Sequence, residues 1–195
     1  MKSMMNRILP KNARLVPRNA LKKYNGEIFD IYQWKQKMYD GSLATFEMAK
    51  RTDTVQILAI DGNDIVVVNE EQPDGTKREY GLPGGRIDPD DESPLHAAKR
   101  EMQEETGYSF KKWKLLNVHQ PQRKVEWFIY VYVAWDVLET VQQQIDVGEK
   151  IDVMRLSWRE YLEKGNKYTI FENNLHRYNN VEGLLTTKEF NEENQ

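Results

Sequence analysis

Alternating apolar and polar positions along the first half of the chain predict β-strands. Residues 27–50 alternate large apolar with polar side chains on either side of a turn at 40–42, which predicts a hairpin. Residues 54–60 and 64–70 are richer in Val and Ile and flank another turn, so they predict a second, more buried hairpin. The strongly apolar segment 125–135 predicts a strand that is covered on both faces.

Two helices are predicted by their capping residues. Ser93 is a suitable N-cap, Pro94 takes the first helical position, where its missing N–H costs no hydrogen bond, and Gly107 ends the segment. Ser157 and Glu160 form the capping-box pattern of a later helix. We also predict a loop, a weaker helix and a frayed polar tail, at 72–80, 173–185 and 187–195 respectively. This order of elements predicts an α+β fold with mixed sheets.

The composition is that of a globular chain with a modest core, because 39% of its 195 residues are hydrophobic and 30% are charged. No apolar run approaches the ~20 residues that span a bilayer, so we expect no membrane partner. The chain has no cysteine. That excludes disulfides, thiolate metal sites and a cysteine nucleophile, and it favours a reducing, cytoplasmic location.

The net charge of −3 is unevenly distributed along the chain. Residues 1–23 contain seven Lys or Arg and no acidic residue, so the remainder carries −10. A basic start is typical of organelle transit peptides and nucleic-acid-binding arms, and also of extensions that pack on their own domain or on a partner subunit. Pro10 and Pro17 interrupt any long amphipathic helix, which favours the packed extension. We therefore expect no nucleic-acid partner.

The predicted helix after Ser93 carries a cluster of carboxylates. Glu101, Glu104 and Glu105 are three and four positions apart, so they share one helix face. Arg100 precedes Glu104 by four residues and can pair with it. Like charges repel, and hard cations such as Mg²⁺ or Mn²⁺ prefer carboxylate oxygens, so the cluster is compatible with a metal site. Taken alone, the same cluster is more often a solvated acidic face.

The longer pattern around this helix resembles the Nudix box, G-x5-E-x7-R-E-U-x-E-E-x-G-U, in which U is a large apolar residue. Counted from Glu92 to Tyr108, this sequence matches the box in spacing and residue type. The interval from Gly85 to Glu92 is one residue longer than in the family, which places Asp91 at the family's distance from the glycine.

The Nudix resemblance implies an α/β/α sandwich and an enzyme that hydrolyses a nucleoside diphosphate linked to another group. By that resemblance Glu101, Glu104 and Glu105 hold Mg²⁺ (Mn²⁺ being possible), and Arg100 braces them. Glu92 is counted with the metal-binding acids and orients the loop and the arginine. The glycines 84 and 85 let the backbone approach a ligand closely. The implied chemistry is attack of water on a pyrophosphate.

Residues outside the box resemble the ADP-ribose pyrophosphatase group of the family, which carries an extra N-terminal sheet. Residues 27–50 match that addition, and Arg51 matches a basic position that contacts substrate phosphates. The group often has an arginine where Pro73 and Asp74 stand here, which leaves Lys77 or Arg78 to substitute for it. Pro121 lies near the place of the group's proline beyond the box, although it is out of register.

Two further roles follow from the same resemblance. A separate glutamate on a later loop assists catalysis in this group, and Glu149, with Asp146 second, occupies the matching segment here. Adenine needs an aromatic platform, and Trp34, Tyr32 and Phe29 on the extra hairpin could provide one. As aromatic residues of a strand, these three are more often part of a core.

We divide the chain into a basic extension (1–25), a β-hairpin addition that mediates a homodimer (26–53), a Nudix domain (54–186) and a polar tail (187–195). The predicted activity is Mg²⁺-dependent hydrolysis of ADP-ribose or a related nucleoside diphosphate sugar to a nucleoside monophosphate and a sugar phosphate. One alternative is hydrolysis of a nucleoside triphosphate or dinucleotide. Another is a non-catalytic module that senses a nucleotide.

Overall fold

The computed structural model describes residues 7–145, 147–165 and 172–187. In chain order its strands are β1 (Leu21–Tyr24), β2 (Asp30–Lys37), β3 (Leu43–Lys50), β4 (Thr54–Asp61), β5 (Asp64–Glu71), β6 (Lys77–Gly81), β7 (Tyr108–His119), β8 (Val125–Glu126), β9 (Ile129–Thr140) and β10 (Lys150–Ser157). Its helices are α1 (Pro94–Thr106), α2 (Trp158–Lys164), a 3-10 helix (Glu172–Arg177) and α3 (Val181–Leu185).

The strands form two sheets. The first has the order β1-β2-β3-β8, and the second has the order β10-β5-β4-β9-β7, with β6 pairing to β5. Most neighbours are antiparallel, but β4 and β9 run parallel in the middle of the second sheet, so this sheet is mixed. The predicted mixed-sheet fold with an added N-terminal antiparallel sheet is confirmed.

The second sheet is covered on both faces. On one face the apolar stripe of α1, with Ala97, Ala98 and Met102, packs against alternate residues of β4 and β9. On the other face the helices of the C-terminal part pack against the intervening residues, because successive side chains of a strand point to opposite sides. The result is the predicted α/β/α sandwich, in which α1 packs against β4 and β9.

Local signals in the sequence predicted several elements correctly. Both hairpins form, and α1 begins after the Ser93 cap, whose hydroxyl accepts the N–H of His96, and ends at the left-handed Gly107. The capping box of Ser157 and Glu160 is also present.

Three predictions of secondary structure were wrong in detail. Part of the predicted loop 72–80 is β6, which adds to the edge of β5. The predicted strand 125–135 is interrupted between β8 and β9, because β8 pairs with β3 of the first sheet while β9 pairs with β4 of the second. The predicted helix 173–185 is a 3-10 turn followed by the short α3.

The described part of the basic extension packs on the domain. Its residues 21–24 form β1 and pair with β2, and Ala13 packs against the core cluster to which α1 contributes. The hydroxyl of Tyr130 donates to the carbonyl of Ile8 at 3.1 Å. Among the residues that the structure describes, no helix is long and apolar enough to cross a membrane.

Candidate active site

The glycine segment after β6 lies directly against β4. The N–H of Val55 donates to the carbonyl of Gly85 at 2.9 Å, and that of Ile57 donates to Pro83 at 2.9 Å. Gly84 has a φ of 144°, and a Cβ there would lie 2.2 Å from the carbonyl oxygen of Val55. Only glycine satisfies both conditions, because other residues avoid this conformation and have no room here.

The same close approach brings the loop onto the acidic face of α1. A Cβ at Gly85 would lie 2.6 Å from the carboxylate of Glu101. The N–H of Gly84 donates to Oε2 of Glu105 at 2.8 Å. Two box carboxylates therefore meet the loop backbone with no side chain between them.

Glu105 and Glu101 are held in a poorly hydrated environment. Burial raises the pKa of Glu105 to about 8, although the N–H of Gly84 partly opposes this. Burial also raises the pKa of Glu101 to about 7 and outweighs the opposing charge of Arg100. Ionising both groups costs free energy, so the pair favours a nearby cation.

Arg100 supplies positive charge to this face of α1. Its Nη1 lies 3.0 Å from Oε1 of Glu101 and 2.8 Å from Oε2 of Glu104. Its Nη2 donates to the carbonyl of Arg86 at 2.9 Å, which ties the glycine loop to the helix. The predicted bracing role of Arg100 thus has a geometric basis.

Asp91, and not Glu92, holds Arg100 in place. The Asp91 carboxylate accepts from Nε and Nη2 of Arg100 at 3.2 and 3.0 Å and from the N–H of Asp88 at 2.8 Å. It also lies 2.8 Å from the ring Nδ1 of His96. Burial alone would raise the pKa of Asp91, but these hydrogen bonds, led by those from Arg100, lower it below its usual range.

The structure places Glu92 apart from the other box acids. Its side chain is exposed, and it does not line the cleft that the others share. Asp91 stands at the family's distance from Gly85, and its carboxylate is the one that contacts Arg100. The assignment of the orienting role to Glu92 is corrected accordingly.

We predict that Asp91→Asn lowers kcat at least ~10-fold and lowers the melting temperature. The reason is that a buried carboxylate paired with a charged donor contributes ~1.5–3 kcal/mol per hydrogen bond, and Arg100 would lose its fixed position. The matched change Glu92→Gln should leave both quantities near the wild-type values. Steady-state kinetics and thermal melts of the two variants test this. Equal losses, or a more severe Glu92→Gln, would contradict the placement.

A cleft of about 200 Å³ contains the carboxylates, and we call it the acidic cleft. Its acidic lining residues are Glu70, Asp88, Glu101, Glu104, Glu105 and Glu149. Glu149 comes from the segment between β9 and β10, as the sequence predicted for a later loop glutamate. Asp146, the second candidate, lies outside the described residues.

The chain between β9 and β10 is attached to the end of α1. The N–H of Val141 donates to Gly107 at 2.9 Å, and that of Gln144 donates to Glu104 at 3.0 Å. These bonds satisfy carbonyls that a helix end leaves unpaired. They also place the start of the Glu149 loop beside the box helix.

A second cavity of about 560 Å³ adjoins the first, and we call it the basic chamber. Gly84, Gly85 and Arg86 line both cavities, as does Glu70. The other lining residues of the chamber include Arg51, Arg78, Pro121, Gln122 and Trp127. Its volume lies within the ~300–1,000 Å³ that is usual for small-molecule sites.

Arg51 forms part of the wall of the basic chamber. Its guanidinium lies 4.6 Å from the ring centre of Trp127 and 5.5 Å from that of Phe29, so it is flanked by two aromatic rings. Its Nε is buried without a hydrogen-bond partner. Burial, and next the charge of Arg86, lower the pKa of Arg51. Two arginines that repel each other in one chamber favour an anionic ligand.

The remaining predicted residues are placed as follows. Arg78 lines the basic chamber, with Nη2 2.7 Å from Oε2 of Glu70, whereas Lys77 is exposed and pairs with Glu71. Trp34 lies on β2, 6.0 Å from the ring of Phe46, and lines neither cavity.

Sequence reasoning missed Glu70, Arg86 and Trp127 as lining residues. Arg86 follows the predicted glycines directly, and that position was the available signal for it. Trp127 carried no signal of its own, because it stands within a run of apolar residues that reads as core.

The carboxylates of the acidic cleft do not form a ready-made set of metal ligands. Within the described ranges, no three His, Asp or Glu side chains are grouped so as to hold a metal ion. Arg100 instead neutralises Glu101 and Glu104. The acidic cleft beside a basic chamber defines a class of site suited to a phosphorylated ligand together with a cation.

Comparison with known proteins identifies the family. The NUDIX domain model matches residues 50–172. The ADP-ribose pyrophosphatase of Bacillus subtilis (strain 168) is 26% identical over 144 residues, which cover 72% of this chain and 77% of that protein. The diphosphoinositol polyphosphate phosphohydrolase 2 of Rattus norvegicus is 32% identical over 87 residues, which cover 44% of this chain and 46% of that protein.

A solved structure described as an ADP compounds hydrolase has the same fold. It superposes with a TM-score of 0.66 at 20% sequence identity, covering 82% of this chain and 90% of the other. The chain belongs to the Nudix family. The prediction of a Nudix hydrolase is confirmed.

Proposed function

We propose that the protein is a Mg²⁺-dependent pyrophosphohydrolase of ADP-ribose or a related nucleoside diphosphate sugar. The observation that carries this proposal is the separation of charge across the glycine loop. Six carboxylates line the acidic cleft, whereas Arg51 and Arg78 line only the basic chamber. Arg86 lies where the two cavities meet and repels Arg51. A diphosphate with its divalent cation complements both sides at once. The similarity to the Bacillus subtilis ADP-ribose pyrophosphatase supports the choice of substrate.

The residues present fit a divalent cation. Glu101 and Glu105 are oxygen donors whose charged forms are disfavoured by burial, as the raised pKa of each indicates. A Cβ at Gly85 would lie 2.6 Å from the Glu101 carboxylate, so a glycine there leaves that carboxylate the space it occupies. Glu101, Glu104 and Glu105 would hold the metal. When bound, it would neutralise phosphate charge and favour hydroxide formation.

Side chains of the two cavities would then have separate roles in binding and catalysis. Arg51 and Arg86 would bind the phosphates, and the face of Trp127 that Arg51 does not cover would offer a planar surface to the base. Water would attack one phosphorus and the bridging P–O bond would break, giving AMP and ribose 5-phosphate from ADP-ribose. Glu149 would accept the proton of the attacking water, since it lines the acidic cleft together with the box carboxylates.

A substrate panel tests the proposal. ADP-ribose, other nucleoside diphosphate sugars, ATP and a diadenosine polyphosphate are incubated with Mg²⁺, and the products are separated by ion exchange. AMP release from ADP-ribose, abolished by a chelator and restored by Mg²⁺ or Mn²⁺, is expected. Preference for ATP or the dinucleotide would favour the alternative enzyme activity. Tight nucleotide binding without any turnover would favour a sensing module.

We predict that Glu149→Gln lowers kcat by ~10²-fold or more while it changes KM much less. A group that acts on the proton in the transition state has this effect, and the box carboxylates remain to hold the metal. Asp146→Asn removes one charge from the same stretch of sequence and should do less. If both variants lose activity equally, general electrostatics of the loop would explain the result. Full activity in both would remove Glu149 from the mechanism.

We also infer that the N-terminal sheet pairs with a second copy of the chain. Its strands carry exposed apolar side chains, among them Leu21, Leu43 and Phe46. An isolated sheet with such a face and open edges is prone to associate. Sedimentation at micromolar concentration should give the mass of a dimer. Leu43→Glu should shift the protein towards monomer, whereas a wild-type monomer would contradict the inference.

A further inference from the structure

Two buried carboxylates lie directly behind the Arg51 wall of the basic chamber. Asp53 is 9% exposed and Glu126 is 3% exposed, and neither lines a cavity of the site. Asp53 follows Arg51 by two residues, and Glu126 immediately precedes Trp127. A buried carboxylate is costly unless it is paired and hydrogen-bonded, so the partners of these two acids are important for the wall.

The main partner is Arg7, from the basic N-terminal segment. Its Nε and Nη2 each lie 2.8 Å from an oxygen of Asp53, and its Nη1 lies 2.7 Å from Oε1 of Glu126. The guanidinium also lies 4.8 Å from the ring centre of Phe128. Arg7 therefore bridges both acids, in a forked geometry that lysine cannot reproduce.

The rest of the arm adds to the same contact. The N–H of Val16 donates to Oε2 of Glu126 at 2.6 Å, while Lys50 lies 2.8 Å from Oε1. Burial would raise the pKa of Glu126, but hydrogen bonds from Lys50, Arg7 and Val16 lower it. The charged form of Glu126 is thus favoured in the interior by Lys50 of β3 together with the donors that the arm supplies.

The two acids in turn hold the backbone that carries the chamber residues. The N–H of Arg51 donates to the carbonyl of Glu126 at 3.2 Å, and the N–H of Phe128 donates to Oδ1 of Asp53 at 2.9 Å. The N–H of Ile87, next to Arg86, donates to the carbonyl of Asp53 at 3.0 Å. Arg51, Trp127 and Arg86 are therefore each attached within two residues to the pair that Arg7 bridges.

We propose that Arg7 is a positioning residue for the substrate: it fixes the Asp53–Glu126 pair, and through that pair it sets Arg51 and Trp127 at the wall of the basic chamber. The arm before β1 is then part of the binding site although it contacts no ligand. This inference rests on the proposed function in that Arg51 is taken to bind the phosphates. The match to the family domain begins at residue 50, so the arm lies outside the matched part of the chain.

The test is Arg7→Met, with Arg14→Met as its matched control. Arg14 belongs to the same arm, has the same charge and is exposed. The full-length variants are compared for KM and kcat with ADP-ribose and for Kd with ADP by calorimetry. We expect Arg7→Met to raise KM and Kd at least ~10-fold with kcat within ~3-fold of wild type. Arg14→Met should match the wild type, and Arg7→Lys should fall between the two.

Other outcomes would overturn the proposal. If Arg7→Met lowers the melting temperature while KM and Kd stay within ~2-fold of wild type, Arg7 is only a structural residue. If Arg7→Met raises KM by the same factor in an Arg51→Met background, its effect does not pass through Arg51. Should Arg7→Met fail to fold, Arg7→Lys decides the question by the same KM and Kd criteria.

Failure of the proposed function would look different. In that case the wild type releases no AMP from ADP-ribose. The Kd for ADP still compares Arg7→Met with the wild type, so the role of the arm is tested independently of turnover.

Discussion

Glu105→Gln is expected to lower kcat by at least ~10³-fold without unfolding the protein. Glu105 is the most buried of the box carboxylates and accepts the N–H of Gly84, so it joins the carboxylate face of α1 to the glycine loop. In the proposed function Glu105 would hold a cation at the reacting phosphate, so its removal is expected to cost several kcal/mol of transition-state stabilisation. Each ~1.4 kcal/mol is a factor of ten in rate.

The melting temperature of Glu105→Gln distinguishes a loss of activity from a loss of folding. Burial raises the pKa of Glu105 to about 8, so its ionised form is destabilising when no cation is present. A neutral amide of the same shape avoids that cost, and metal-free Glu105→Gln should melt at or above the wild-type temperature. Mg²⁺ should raise the melting temperature of the wild type but much less that of the variant.

Kinetics and melts with and without Mg²⁺ provide the measurement, and Glu163→Gln on the exposed face of α2 is the control. The control should behave as wild type in both assays. Wild-type turnover by Glu105→Gln, or wild-type turnover in excess chelator, would refute the metal-dependent mechanism.

Arg51→Met should raise KM ~30–100-fold and change kcat much less. The guanidinium has a buried Nε without a partner and repels Arg86, so a phosphate that binds between them gains charge-assisted hydrogen bonds. Losing such bonds in a partly desolvated site costs ~2–3 kcal/mol, which corresponds to this range of affinity. Arg51→Lys should recover only part of the loss, because lysine lacks the planar group that lies between Phe29 and Trp127.

Substrate titrations of the Met and Lys variants, with Kd for ADP from calorimetry, test this expectation. Arg123→Met is a suitable control because Arg123 is exposed and does not line the chamber. An unchanged KM in Arg51→Met would mean that the basic chamber does not bind the phosphates. A large loss of kcat at constant KM would instead move Arg51 into the chemical step.

The parts of the fold that local chemistry determines could be predicted from the sequence. Ser93 and Gly107 mark the ends of α1 because a hydroxyl cap and a left-handed glycine act within one turn. The two hairpins follow from alternation and short turns. The carboxylate face of α1 follows from helical spacing alone.

Features that depend on distant pairing could not be predicted. The break between β8 and β9 exists because each strand joins a different sheet, and nothing in the apolar run around Trp127 indicates which partner it will have. Because Trp127 stands in that apolar run, its sequence context predicts a core residue, although it lines the basic chamber. Asp91, and not Glu92, is the partner of Arg100. The sequence could not decide between them, because the spacing from Gly85 fits Asp91 whereas the spacing to Arg100 fits Glu92.

The parallel pairing of β4 with β9 has a kinetic consequence. Thr54 pairs with Ile129, 75 positions later in the chain, and closing so long a loop makes this contact late and slow to form. Arg51 and Trp127 lie just ahead of these two strands, so the chamber is complete only after they have paired. A nucleotide therefore has nothing to bind in the earlier compact states. It should prolong the lifetime of the folded protein against unfolding while leaving the rate of refolding unchanged.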